Sequence, residues 1–386
     1  MKTRILLPLL ALAALLAACR DDDVAFVPEV EFISEPEYTS VSGFYLLNEG
    51  NMYSNKASID FYNYANAHYY RNAYVAQNRG VVMQLGDVGN DIAIYGNRLY
   101  AVINCSNKVE VMDRRTLKRI GQVDIPNCRY IKFAGGYAYV TSYAGPVSLD
   151  EKDVQQGYVA RVDTATLQVV ARCIVGRQPD GLEIVDDKIY VANSGGYTPN
   201  RYERTVSVVD IASFTEVERI DIAPNLQYIA CDRRGVLWVT SRGDYYDKSS
   251  TITAYDLRRR RIMATLPCPV GSMWMDGDSI YAISNEYSLT DDGYRQSSYR
   301  IINTATMTVV NDHFITDGTD AMIEHPYGVA VNPITKDILI TDAKNYIVPG
   351  RLYCFDRSGH LKWDVLTGDI PAHFVFLGDQ EYDYRL

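Results

Sequence analysis

Tyrosine outnumbers phenylalanine 31 to 10 in this 386-residue chain. Many of the tyrosines stand between strand-like runs: Tyr53, Tyr143, Tyr197, Tyr202, Tyr245, Tyr246, Tyr287, Tyr294 and Tyr346. Tyr130, Tyr228 and Tyr327 stand where such runs begin. Arg129, Arg177, Arg201 and Arg242 lie among them, with Asn127, Asp180 and Asn225. A phenol offers a flat apolar body, a polar tip and little rotamer entropy to lose. Together these residues describe a surface for a large semi-polar ligand or a protein partner, although some of the rings will only pack loop against loop. Groups suited to catalysis are sparse. The five histidines, at 68, 313, 325, 360 and 373, fall at unrelated positions and lack metal-ligand spacing. Neither a Gly-x-Ser-x-Gly motif nor a phosphate loop occurs. Asn48-Glu49-Gly50-Asn51 is polar, but a turn leaving a strand accounts for it. Asp247 and Asp291-Asp292 could face a calcium ion, though not with EF-hand spacing. The expectation is a binding protein, not an enzyme, with no catalytic residues, no metal and no catalytic cofactor.

The segments that must position these residues repeat. A strand ending in Asn, Ser or Asp occurs as Phe44–Asn48, Tyr100–Asn104, Tyr139–Ser142, Tyr190–Asn193, Trp238–Ser241, Tyr281–Ser284 and Leu339–Asp342. The outermost copies, anchored at Tyr45 and Leu339, are 294 residues apart over six steps, about 49 per repeat. Each is followed by an alternating strand ending in Asp or Asn, often with Thr or Ser three residues later, as in Val109–Asp113, Val159–Asp163, Val206–Asp210 and Ile252–Asp256. Alternation marks half-buried strands. The Asp carboxylate suits the turn because it can accept backbone N–H bonds just ahead of it, so Asp113, Asp163, Asp210 and Asp256 read as structural. Asn63 takes that position in the first repeat and serves the same purpose.

A lead-in strand precedes most repeats, for example from Pro179, Pro224 and Pro326. The first repeat lacks one, and a spare copy, Pro371–Leu377, stands at the C-terminus. The chain is therefore predicted to be all-β: a seven-bladed β-propeller of four-stranded blades, its ring closed by the C-terminal strand pairing with the N-terminal strands. The long connections, 48–57, 142–157, 194–204, 241–250, 284–298 and 342–350, fall on one face, and only the second blade, near Cys105, has a short one. Long loops on a rigid scaffold are where binding residues gather. A lactonase- or lyase-type propeller would need a metal cage at the axis. Asp91, Asp180, Asn127 and Asn225 make an incomplete set, better suited to hydrogen bonding.

The N-terminus addresses the chain. Lys2 and Arg4 precede an apolar run, Ile5–Ala18, too short to span a bilayer. Leu16-Ala17-Ala18-Cys19 resembles a bacterial lipobox, which implies a signal peptide over 1–18 and acyl chains on Cys19. Arg20-Asp21-Asp22-Asp23 resembles the signal that exports Bacteroidetes lipoproteins to the outer cell surface. The expected organisation is signal 1–18, lipidated Cys19 with an acidic tether over 19–42, propeller 43–377 and tail 378–386. The expected location is the outer membrane, facing outward. Net charge is −10, or −12 once Lys2 and Arg4 leave with the signal, which disfavours nucleic acid as a partner. The six cysteines after Cys19 form no CxxC pair, and most lie in apolar strands as candidate buried thiols. Disulfides stay open at this stage because spacing does not pair them.

The Tyr-Val-x-Asn strand and the Val-x-Val-x-Asp-x-x-Thr turn resemble the YncE-like, surface-layer-type seven-bladed propellers over residues 43–377. Asn48-Glu49-Gly50-Asn51, Asn55–Asp60 and Gly368-Asp369-Ile370-Pro371 resemble more closely a Bacteroidetes lipoprotein subgroup that includes the BtuG-like cobalamin-capturing proteins. That resemblance implies capture of a corrinoid such as cobalamin (vitamin B12), carried as transported ligand, and hand-over to a TonB-dependent outer-membrane transporter. No short motif reports the ligand, so glycan or protein binding remains the alternative. The expected ligand contacts come from loop position and chemistry: Asn127, Arg129, Tyr130, Tyr143, Arg177, Asp180, Tyr197, Arg201, Tyr202, Asn225, Tyr228, Arg242, Tyr245, Tyr246, Tyr287, Tyr327 and Tyr346.

Overall fold

A computed structural model describes residues 29–79, 84–147, 155–197, 201–246, 248–285, 287–288, 293–294 and 297–378. The expected signal peptide, Cys19, the tail beyond 378, Asp247 and Asp291-Asp292 lie outside the described residues.

Seven antiparallel sheets form a ring, and the fold is the predicted seven-bladed β-propeller. Lettering strands a to d from the axis outward, blade 4 shows the plan: Pro179–Val185, Lys188–Asn193, Thr205–Asp210 and Thr215–Asp221. Strands b and c lie between neighbouring blades, so Lys188–Asn193 is buried at every position after its first. Strand d is covered on one side only and alternates exposed and covered residues, as in Thr215–Asp221. Seven apolar clusters hold the ring together, one between each neighbouring pair of blades. The fully buried Trp238, for example, sits in the cluster joining blades 5 and 6.

Closure follows the sequence reading. Pro371–Gly378 supplies strand a of blade 1 and pairs with Val41–Asn48, placing Phe376 opposite Phe44 and Phe374 opposite Leu46. Residues 29–40, assigned to the tether from sequence, contribute Val30–Phe32, which pairs with His68–Tyr70 as a fifth, outermost strand of blade 1. The six described cysteines other than Cys19 are all free; Cys128, Cys173, Cys268 and Cys354 are buried.

The repeated polar residues have structural work, as their positions suggested. Asp163 Oδ1 accepts from the backbone N–H groups of Ala165 (2.9 Å) and Thr166 (2.8 Å), and from the Thr166 hydroxyl at 3.2 Å. Asp113 and Asp210 repeat this geometry, and Asn63 accepts from Ala65 N–H at 2.9 Å. The polar ends of the b strands staple the crossings between blades. Ser142 and Ser241 donate to the carbonyls of Pro126 and Pro224, and Asp342 accepts from the N–H groups of Glu324 and His325.

Candidate ligand-binding site

The inner strands enter the ring from the long-loop face, and most enter irregularly. In six blades the pairing of strand a with strand b slips at its start, leaving extra residues opposite the partner. Such bulges bend a strand and re-aim its side chains. The residues set in them are Arg129 and Tyr130 in blade 3, Asp180 and Gly181 in blade 4, Gln227 and Tyr228 in blade 5, and Tyr327 and Gly328 in blade 7.

In blades 3, 5 and 7 a threonine of strand b stands opposite the bulge. Thr141 Oγ1 accepts from Tyr130 N–H at 3.0 Å, Thr240 from Tyr228 N–H at 2.8 Å and Thr341 from Gly328 N–H at 2.7 Å. Thr141 and Thr341 donate onward to the next blade, to the carbonyls of Asp180 (2.8 Å) and Pro371 (2.6 Å). Each hydroxyl satisfies a backbone group that the bulge would leave unpaired.

The bulge residues surround the mouth of an axial channel of about 1430 Å³. Its lining includes Glu49, Arg129, Tyr130, Tyr228, Arg242, Tyr245 and Tyr327 at the long-loop end, and Gly96, Arg234 and Gly277 at the short-turn end. Tyr130 and Tyr228 meet edge to face with centroids 6.0 Å apart. Tyr327 donates to Glu49 Oε2 at 2.9 Å, and its ring lies 5.8 Å from that of Tyr346. Burial raises the phenol pKa values of Tyr130 and Tyr327 well above their ordinary value and that of Tyr228 to about 12. All three therefore remain neutral hydrogen-bonding rings at physiological pH.

Asp180 is the buried charge at this mouth. Arg129 Nε donates to its Oδ1 at 3.0 Å, Arg242 Nη1 to its Oδ2 at 3.1 Å, and Tyr143 OH to Oδ1 at 2.7 Å. Burial alone would push this carboxyl up. The charges of Arg129 and Arg242 and the Tyr143 and Arg129 hydrogen bonds outweigh burial and hold it below the usual carboxylate range. The Arg129 guanidinium also stacks on Tyr143, 4.9 Å from the ring centroid.

The fold thus brings together Arg129, Tyr130, Tyr143, Asp180, Tyr228, Arg242, Tyr245 and Tyr327, with Tyr346 behind Tyr327. Tyr143 and Asp180 are buried, so their place is beneath the mouth, holding the arginines. Other residues on the sequence-derived contact set stand further out. Arg177 is engaged by Glu203 at 3.1 Å and by the Arg201 carbonyl, bracing the blade 4 loop. Asn127 donates to the Gly145 carbonyl at 3.0 Å. Asn225 is fully buried in the left-handed region at φ 56°, where its backbone N–H donates to Glu203 O. Tyr197 and Tyr246 are exposed on the loops, Tyr202 is half-buried, and Tyr287 pairs with Tyr294 in a two-residue ladder.

Several channel residues were not anticipated as contacts. Glu49 also meets His373 Nε2, at 3.1 Å. Lower in the channel Lys132 pairs with Glu183 at 3.2 Å, near Asp91, whose carboxyl burial pushes up. For His373, Lys132, Glu183 and Asp91 the signal was position: each follows the bulge on an inner strand, where alternate side chains face the axis, whereas Glu49 leaves the end of strand b of blade 1.

No curated protein matches this sequence. Among solved structures, the chain is similar to a candidate 6-phosphogluconolactonase from Bacteroides fragilis, with 13% identity, a TM-score of 0.60, and 88% of this chain and 99% of that one covered. It is similar to a quinonprotein alcohol dehydrogenase-like protein from Bacteroides thetaiotaomicron at 13% identity and TM-score 0.56, covering 88% and 79%. It also resembles the hydrazine synthase of Kuenenia stuttgartiensis at 18% identity and TM-score 0.53, covering 70% and 76%. At these identities the likeness is one of fold. Residues 42–376 match the family model described as a domain of unknown function, DUF5074, and the chain belongs to that family.

Proposed function

We propose that this protein is a surface lipoprotein that captures a corrinoid such as cobalamin in the mouth of its axial channel and passes it to a TonB-dependent outer-membrane transporter. One observation carries the reading: Tyr130, Tyr228 and Tyr327, neutral and half-buried, converge from three blades on one channel mouth flanked by Arg129 and Arg242. A corrin is broad and flat with amide arms. Rings with hydrogen-bonding tips match both parts of it, and a mouth built on strand starts loses little entropy on binding. The protein acts by binding rather than turnover. Acyl chains on Cys19 tether it to the outer membrane, with the channel mouth presented to the ligand and then to the transporter. The lipobox, the Arg20–Asp23 segment and the BtuG-like sequence features support this placement.

Isothermal titration of the soluble chain, begun at residue 29, with cyanocobalamin and cobinamide tests the reading. One-to-one binding is expected, weakened roughly tenfold or more by Tyr130→Ala, Tyr228→Ala or Tyr327→Ala. No heat with either corrinoid sinks it and shifts the assignment to a glycan or protein ligand, for which the same aromatic mouth is suited. Metabolic labelling with palmitate, lost in Cys19→Ser, tests the anchor.

A further inference from the structure

Asp180 is fully buried, yet it is shared between two cations. Arg129 meets one of its oxygens at 3.0 Å and Arg242 the other at 3.1 Å, and Tyr143 adds a neutral hydroxyl. Because the carboxyl is held ionised, the cluster carries two positive charges against one negative. Nearby, Arg177 pairs with Glu203 and Lys132 with Glu183, and Glu49, also in the mouth lining, is bonded to Tyr327 and His373. The cluster therefore holds one excess positive charge on a chain whose net charge is −10.

That charge is accessible and pre-positioned. Arg129 and Arg242 both line the channel mouth, and their side chains keep 16% and 23% of their surface open. The bonds to Asp180 use one N–H of each guanidinium, and each guanidinium has five. Asp180 holds both guanidiniums and the stacked Tyr143 ring fixes the plane of Arg129, so an incoming anion need not order them from a free state. Planar forks of this kind match phosphate oxygens, and a singly charged group balances the cluster.

We propose that Arg129 and Arg242 form a seat for one monoanionic group of the ligand. Resting on the corrinoid reading, that group is the phosphodiester of the corrinoid's nucleotide arm. Asp180 sets the charge of the seat: bonded to both guanidiniums, its carboxylate leaves them the one net positive charge that a phosphodiester neutralises.

The experiment is titration of wild type, Arg242→Gln and Asp180→Asn, with folding checked by circular dichroism, against cyanocobalamin, cobinamide (which lacks the phosphodiester) and dimethyl phosphate. Arg242→Gln should weaken cyanocobalamin by about tenfold or more and cobinamide by less than about twofold. Asp180→Asn removes the competing carboxylate and should tighten cyanocobalamin, the opposite sign. If Asp180→Asn does not fold, wild type supplies the sign, because its preference for cyanocobalamin over cobinamide should shrink as salt rises. Equal weakening of both corrinoids by Arg242→Gln, or a salt-independent preference, overturns the seat while leaving corrinoid capture standing. Should wild type bind neither corrinoid, the capture reading fails by itself and dimethyl phosphate decides: saturable binding lost in Arg242→Gln sustains the anion seat, and no binding overturns it.

Discussion

Asp180 shows how one buried group can hold the fold together while setting the charge of the site above it. Its folded pKa lies below its unfolded value of about 3.9, so its contribution is fully present above that value. The contribution is lost as pH falls through the folded pKa. Asp180→Asn should cost about 3 kcal/mol near neutral pH, because two guanidiniums lose their counter-charge. In denaturant titrations the gap to wild type should close in strong acid; a gap unchanged from pH 7 to pH 2 would show that the ion pairing does not set it. The thiols give a second test. All six described cysteines are free, and burial raises the pKa of Cys128 and Cys231 to about 12. A thiol reagent should react slowly with the folded soluble chain and count six thiols after unfolding without reductant. Fewer than six would reveal a disulfide.

Turns and bulges, in contrast, show that the same residue type carries different weight according to burial. Asp163 caps an exposed turn, where water replaces what its loss removes. Asp232, at the inner turn of blade 5, is buried and accepts from Arg234 N–H (2.9 Å), Val236 N–H (3.0 Å) and Trp238 Nε1 (3.2 Å). Asp232→Ala should therefore cost about 3 kcal/mol in denaturant titration, and Asp163→Ala only a minor part of that. A comparable loss at both would contradict the assignment. Thr141 poses a sharper case, since its hydroxyl joins the bulge of blade 3 to the bulge of blade 4. Thr141→Val should lower stability by about 1–3 kcal/mol and also weaken ligand binding, because Tyr130 and Asp180 both lean on that hydroxyl. Stability lost with affinity intact would detach the bulge from the site. The inner strands also approach closely: a Cβ on Gly328 would stand 2.1 Å from the Ala372 carbonyl oxygen, so even alanine is excluded there without a backbone shift.

A propeller is only as stable as its closure. Each blade buries its apolar faces against two neighbours, and the last interfaces form when Pro371–Gly378 joins Val41–Asn48. Removing that strand takes Phe374 and Phe376 from the cluster between blades 7 and 1, and Val375 and Leu377 from the cluster between blades 1 and 2. It also bares the edge of Val41–Asn48. A chain ending at Asp369 should lose its cooperative thermal transition and aggregate in size-exclusion chromatography; a monomer with wild-type melting would mean the ring does not depend on this clasp. The channel mouth is a product of the same ring, since no single blade contributes more than a few of its residues.

Seven repeats of about 49 residues, the displaced lead-in strand at the C-terminus and the Asp-capped turns were legible in the sequence, because strand alternation and turn chemistry are local and leave a periodic trace. They determined the fold, the blade count, the mode of closure and the face bearing the long loops. Position in the repeat also marked Arg129, Tyr130, Asp180, Tyr228 and Tyr327 for the mouth. Composition could not sort the loops. Arg177 and Arg242 look alike in sequence, yet one braces a loop while the other shares Asp180, and Tyr143 and Tyr246 differ as buried support and exposed rim. Nor did local pattern join Glu49, Tyr327 and His373, which are 278 and 324 residues apart along the chain in their hydrogen-bonded pairs. Those differences arise where the bulges turn side chains toward a common axis, and only the closed ring decides which of them meet.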